Sequence, residues 1–321
     1  MMYRAGDRTK AISVRRPIVF SLESDFPSTG GWDLNWPAQL IWQGLINGLA
    51  LGWIYVLMAL GLTLIFGIMR IMQFAHGEIY MLGAYTVFYL SIIYKLPLLL
   101  AAALSMLAMA GLGLILERFL FRRLREQLLA PIVVSVGLTL ILQSAAVVFF
   151  GLYERSIPRL AQGSFKLLGS MMPKDRFVAV MVAILLSGCL YLFLKKSKYG
   201  QAMIASAQSP EGAILQGISP VRMSALAMSV GCALAAAGGV LAGALFALGP
   251  TMGVQPLVKG LVIIVLGGMG SLIGAFIAGM MLGLIDGLVP ILFGPAWAAM
   301  LPLLIVIFVL VIKPEGLLGH E

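Results

Sequence analysis

Eight long apolar tracts divide this chain, and several reach membrane-spanning length without a single charge. They run over 39–69, 79–94, 96–116, 131–150, 177–194, 224–248, 260–285 and 288–312. A helix needs ~20 mostly apolar residues to cross the hydrocarbon core of a bilayer. Composition agrees: 61% of the 321 residues are hydrophobic and only 11% are charged, against about 25% charged in a soluble domain. The mean hydropathy is +1.02. The expected fold is therefore an all-α polytopic transmembrane helix bundle of about eight spans, in a range of seven to ten, with discontinuous or re-entrant helices. Residues 1–38 read as a flexible polar tail without a signal-peptide pattern. A single transmembrane domain then fills 39–312, and 313–321 form a short C-terminal tail.

The charges gather between the tracts, at 117–126, 153–176 and 195–222. Lys and Arg concentrate on the cytoplasmic side of membrane proteins. Arg118, Arg122, Arg123 and Arg125 place one loop there, and Lys195, Lys196 and Lys198 place another. Segment 151–176 then faces outward, although Arg155, Arg159, Lys166, Lys174 and Arg176 weaken that contrast. The N-terminal side stays open. Three crossings before residue 117 put it outside, whereas Arg4, Arg8, Lys10, Arg15 and Arg16 favour inside. The net charge of +9 suits loop orientation, not nucleic acid, because no basic stripe with interleaved aromatics occurs. Cys189 and Cys232 both lie in apolar tracts and read as free thiols. His76 and His320 are too few for a metal cluster.

Small residues recur at helical spacing: Gly44, Gly48 and Gly52, and again Gly279, Gly283 and Gly287. In lipid such spacing lets helix backbones approach closely. The run Gly61–Met69 also echoes Gly260–Met269. In each, an apolar run meets glycine, then a break, then a second helix. Paired broken helices of this kind flank the substrate path in many transporters.

Three stretches stand out as candidate sites. Gln73, Phe74, His76, Gly77 and Glu78 interrupt two apolar tracts with polar and ionisable groups. Ionisable residues at membrane depth usually mark a functional site; a solvated surface loop is the alternative. Gly267, Gly268, Gly270 and Ser271 weaken an uncharged tract. A break there aims backbone dipoles at a solute, or serves close packing. Loop 195–223 reads as two short helices, the first over 200–207. Ser209 is placed as N-cap, Pro210 as first helical residue, Glu211 in the first turn and Gly217 as C-terminal cap. An ordered helix pair between two spans suits docking, with a solvated connector as the alternative.

The chain carries no Walker A pattern, no nucleophile elbow and no zinc-binding pair, so it reads as a non-enzyme. Taken together, NGLALGWIYVLMALGLTLIFGIMRIMQFAHGEIYMLGAY, ERFLFRRLR, GQAMIASAQSPEGAILQGIS and VLGGMGSLIGAFIAG resemble the permease subunits of branched-chain amino acid ABC importers. Several positions depart from that pattern. Gln73 replaces a usual Asn, Gln201 and Ile204 stand at usual arginines, and Arg123 stands at a usual proline.

The resemblance implies a bacterial plasma-membrane importer for branched-chain amino acids or related urea, amide or organic-acid solutes. It implies a second homologous permease, two cytoplasmic ATPase subunits that hydrolyse the ATP, an extracytoplasmic solute-binding protein and surrounding lipid. No cofactor is implied for this chain itself. Gln73 to Glu78 and Gly267 to Ser271 are placed by it near the translocation path. Gly200, Ala207, Gln208, Pro210, Glu211, Gly217 and Ile218 are placed in the loop that docks into the ATPase. The alternative is a stand-alone secondary transporter or channel using Glu78 and Asp286 as ion sites.

Overall fold

The computed structural model describes residues 38–318, except 125–126, 128, 159–160, 162, 168–169 and 314. The expected tail over 1–37, Arg125, Arg159 and His320 lie outside the described residues. The fold begins with α1 (Ala38–Met69), α2 (His76–Ile92) and α3 (Leu98–Leu116). From α3 the chain runs through one π-helical turn at Glu117–Phe121 into the three-residue α4 (Arg122–Leu124). Next come α5 (Ala130–Phe150), the hairpin β1 (Ser164–Leu167) and β2 (Ser170–Pro173), and α6 (Lys174–Lys196). The short α7 (Lys198–Gln208) and α8 (Pro210–Leu215) precede α9 (Pro220–Leu245). Finally come α10 (Val254–Gly267), α11 (Leu272–Phe293) and α12 (Pro295–Ile312). The antiparallel hairpin, with Ser164 opposite Pro173, is the one sheet among the described residues.

Among the described residues, six helices are long and apolar enough to cross a membrane. Two shorter apolar helical stretches, Val254–Gly267 and Met300–Val309, accompany them, and together they form an all-α polytopic bundle. The central pair is α1 and α11, which run antiparallel and touch through glycine. A side chain on Gly48 would meet the Gly283 carbonyl and Leu284 Cα at 2.9 Å, and one on Gly279 would meet Val56 at 2.8 Å. The two four-residue glycine ladders therefore face each other, and their spacing follows from that approach. On the other side, Gly83 of α2 abuts Ala236 of α9, and Gly61 of α1 abuts Gly231 of α9.

Two connections re-enter the bundle. After Met69 the chain turns at Arg70, whose φ is +54°. It then climbs back along α1, and His76 comes to rest beside Gly61. Gly61 lies eight residues before the end of α1, or about 12 Å back along the helix. From the other face, segment 246–253 dips inward until Gly253 touches Gly77. The N-termini of α2 and α10 thus meet in the bundle interior. The first tract itself is one unbroken helix, and the re-entrant piece follows it at 70–76.

This arrangement also settles the end of α1. Asn47 near its start is hydrogen-bonded by Arg176 at the start of α6, so α1 begins on the face carrying 151–176. Its other end lies with α7 and Lys195, on the basic face.

The last two tracts are cut differently from the expectation. α10 stops at Gly267 and α11 runs unbroken past Asp286 to Phe293. Asp286 had marked a boundary because it is a lone charge. It sits inside the helix because Lys259 and the Tyr55 hydroxyl neutralise and satisfy it.

Candidate translocation site

A cavity of about 1210 Å³ opens along α1, α6, α7 and the α10–α11 break. Its walls are mostly apolar, with Thr63, Ser187 and Ser271 as scattered hydroxyls and Arg70 and Lys195 at the basic face. At the end toward the opposite face, Trp53 meets Phe276 edge-on, with ring centroids 5.4 Å apart. A second cavity of about 220 Å³, an outer chamber on the face carrying 151–176, is lined by Asn47, Arg176 and Asp286.

The glycine break shapes the inner groove. Gly268 and Gly270 have φ of +98° and +89°, which ends α10 at once. Ser271 then caps α11, its hydroxyl accepting from the Gly274 N–H at 3.1 Å. The last carbonyls of α10 do not face the cavity. Leu317 donates to Leu266 O at 2.8 Å and Leu318 to Gly267 O at 3.1 Å, so the chain's C-terminal segment closes that helix end. Gly270 and Ser271 line the groove, whereas Gly267 packs against Gly274 and Gly268 against Gly316. Gly270 also faces Gly67 of α1, so the breaks after α1 and α10 meet, as the echo between them suggested.

The Gln73–Glu78 stretch is placed differently. His76, Gly77 and Glu78 open α2 and are buried with Gln73, while Phe74 is partly buried against the core. A solvated surface loop is excluded. Gln73 lies beside the Cys232 thiol, and the His76 ring lies beside the backbone of Met58 and Gly61. Neither approach makes a hydrogen bond of good geometry, and both Glu78 carboxylate oxygens also lack one. These groups sit behind the groove wall, around the meeting point of the α2 and α10 N-termini, and do not line either cavity.

The loop between α6 and α9 folds as its cap residues dictate. Ser197 caps α7, accepting from Gly200 N at 2.9 Å, and Ser209 caps α8, accepting from Gly212 N at 3.1 Å. Gly217, with φ of +75°, closes α8: Ile218 N donates back to Ala213 O at 2.9 Å. Gly200 is buried against the backbone of Phe193 and Leu194. Ala207 and Gln208 reach the groove, and Ile218 packs on the core. Pro210, Glu211 and Gly217 are exposed, together with Ile214 and Leu215, the latter 86% exposed.

Several residues here were not singled out from sequence: Asn47, Trp53, Thr63, Arg176 and Phe276. Asn47 and Thr63 left a faint signal, as polar residues inside a charge-free tract. The aromatic pair left none, since tryptophan and phenylalanine are ordinary in membrane helices.

A helix bundle with glycine-broken passes, an internal groove and an exposed helix pair at its mouth defines a polytopic solute permease. The chain belongs to the family described as branched-chain amino acid transport system, permease component, which it matches over residues 44–310. It is 32% identical to the BraD permease protein of the high-affinity branched-chain amino acid transport system of Pseudomonas aeruginosa, over 87% of this chain and 95% of the relative. It is 30% identical to Escherichia coli LivH over the same shares. It is 27% identical to LivM of Salmonella typhimurium over 77% of this chain and 64% of that protein. No solved structure gives a significant match.

Proposed function

We propose that this chain forms one wall of the translocation path of an ATP-driven importer for branched-chain amino acids or a related small polar solute. The observation that carries the reading is the placement of α7. Its Met203, Ile204, Ala207 and Gln208 line the groove, and it is joined through Ser209 to the exposed α8. A partner docked on α8 therefore moves the groove wall directly. The chain itself has no phosphate-binding loop, so a separate ATPase subunit hydrolyses the nucleotide. The likeness to both LivH and LivM supports a second, homologous permease that closes the open side of the groove. A solute-binding protein delivers from the face carrying 151–176, and the assembly sits in the bacterial inner membrane. None of these roles asks this chain to catalyse a reaction.

The test is reconstitution of the permease pair with its ATPases and binding protein in proteoliposomes. Uptake of labelled leucine, isoleucine or valine should require ATP and persist when a protonophore collapses the proton gradient. Uptake that needs the gradient and no ATPase would establish the stand-alone transporter instead. Asp286 speaks against that second mechanism, because its charge is already balanced by Lys259 and anchored by the Tyr55 hydroxyl.

A further inference from the structure

The outer chamber is small and chemically lopsided. Arg176 from the start of α6 and Asp286 from α11 line it together with Asn47. Leu51, Phe246 and Ile291 supply apolar wall. The two charged residues are held in different ways. Asp286 receives Lys259 on one oxygen and Tyr55 on the other, which leaves each oxygen a further acceptor site. Arg176 has Asn47 as its partner, a neutral amide whose oxygen takes only part of the guanidinium's donor fork. Lys259 offsets Asp286, and among the described residues no carboxylate is paired with Arg176. At 220 Å³ it has room for a single small amino acid and not for a peptide.

We propose that this chamber is a transit site for one zwitterionic, apolar amino acid inside the permease. The carboxylate binds Arg176, displacing Asn47 from part of the guanidinium. The ammonium turns toward the free lone pairs of Asp286, and the branched side chain lies against Leu51, Phe246 and Ile291. A guanidinium matches a carboxylate with two parallel hydrogen bonds, whereas a lysine offers only a point charge. This inference rests on reading the chain as an amino-acid permease, and it adds a recognition step within the membrane domain itself.

The experiment uses the complete complex of permeases and ATPases in lipid nanodiscs, without binding protein. Equilibrium binding of tritiated leucine at millimolar concentration is measured for wild type, Arg176→Gln and Arg176→Lys. Unlabelled leucine and isoamylamine, which lacks the carboxylate, serve as competitors. Wild type should bind leucine saturably and isoamylamine should not displace it. Arg176→Gln should weaken binding tenfold or more, and Arg176→Lys should recover part of that loss. Assembly of each variant is checked by co-elution of both ATPases on gel filtration. An Arg176→Gln complex that assembles and binds leucine like wild type overturns the proposal. Displacement by isoamylamine, or no saturable binding by wild type, overturns it too. ATP-driven uptake of leucine in proteoliposomes is scored separately. If uptake is present and chamber binding absent, the transit site fails and the permease reading stands; if uptake is absent, the amino-acid permease reading itself fails.

Discussion

Lys259 on α10 donates to Asp286 on α11 at 2.8 Å, and the Tyr55 hydroxyl on α1 donates to the other carboxylate oxygen at 2.8 Å. One carboxylate thus ties together the two helices on either side of the glycine break and the central helix they pack on. The side chains are only 20% and 10% exposed, so a charge left alone there pays a desolvation penalty. Breaking a fully buried pair by removing one partner costs ~3–5 kcal/mol, and the residual exposure places this pair near the lower end. Lys259→Met and Asp286→Asn should each lower the thermal midpoint of the purified permease. The double variant should recover at least half of the summed loss, because it leaves no unpaired charge. Simple additivity in the double-mutant cycle would mean that the two charges are not coupled.

The glycine ladders make a prediction of opposite signs. Gly283 packs directly on the Gly52 backbone, and Gly287 on Gly44 and Gly48. An alanine at Gly283 has no flexible side-chain end to displace, so the two helices must separate along their contact. Gly111 on α3 has open space where a methyl group would stand, with nothing within 4 Å, and a helix-interior glycine replaced by alanine gains roughly 0.5–1 kcal/mol. Gly283→Ala should therefore reduce the fraction that stays monodisperse after heating, and Gly111→Ala should leave it equal or higher.

How far the sequence carried depends on whether a feature is local. The caps Ser209 and Gly217 are local devices, and the helix they bound appears where they put it. The glycine break at 268–270 is local in the same sense. Asp286 was misleading because its meaning is tertiary: a lone charge in an apolar tract looks like an end until Lys259, 27 residues away, is brought beside it. The depth of His76 is open in the sequence, which allows either membrane depth or a surface loop. Only the return of the chain along α1 buries it beside Gly61. The outer chamber depends on Asn47 and Arg176 meeting across 129 residues, and no spacing rule covers that.

The Trp53–Phe276 contact should act as a barrier. The rings lie 5.4 Å apart at 62°, an edge-on geometry worth ~0.5–1.5 kcal/mol beyond its buried area. Such a contact is strong enough to stay closed at rest and weak enough to open when the helices shift. Trp53→Ala should raise passive leakage of labelled leucine from proteoliposomes without ATP. Trp53→Phe, which keeps an aromatic ring, should leak less than Trp53→Ala. Equal retention of solute by wild type and Trp53→Ala would remove the aromatic pair from the path.

Helix α8 separates stability from coupling. Leu215 is 86% exposed and contributes almost nothing to the fold of the isolated chain. Gly217 holds φ at +75°, where an alanine costs ~1–2 kcal/mol and loosens the Ile218 N–H to Ala213 carbonyl bond that closes the helix. Both positions lie far along the chain from the α1–α11 contact, so neither Leu215→Ser nor Gly217→Ala should shift the main thermal transition of the permease. Both should lower the amount of leucine accumulated per phosphate released in proteoliposomes. Leu215→Ser acts by removing the apolar contact with the ATPase, and Gly217→Ala by letting the docked helix move without pulling α7 and the groove wall behind it. The two mechanisms differ in one measurable respect. Leu215→Ser should weaken retention of the ATPase on gel filtration, whereas Gly217→Ala should keep the ATPase bound while transport falls.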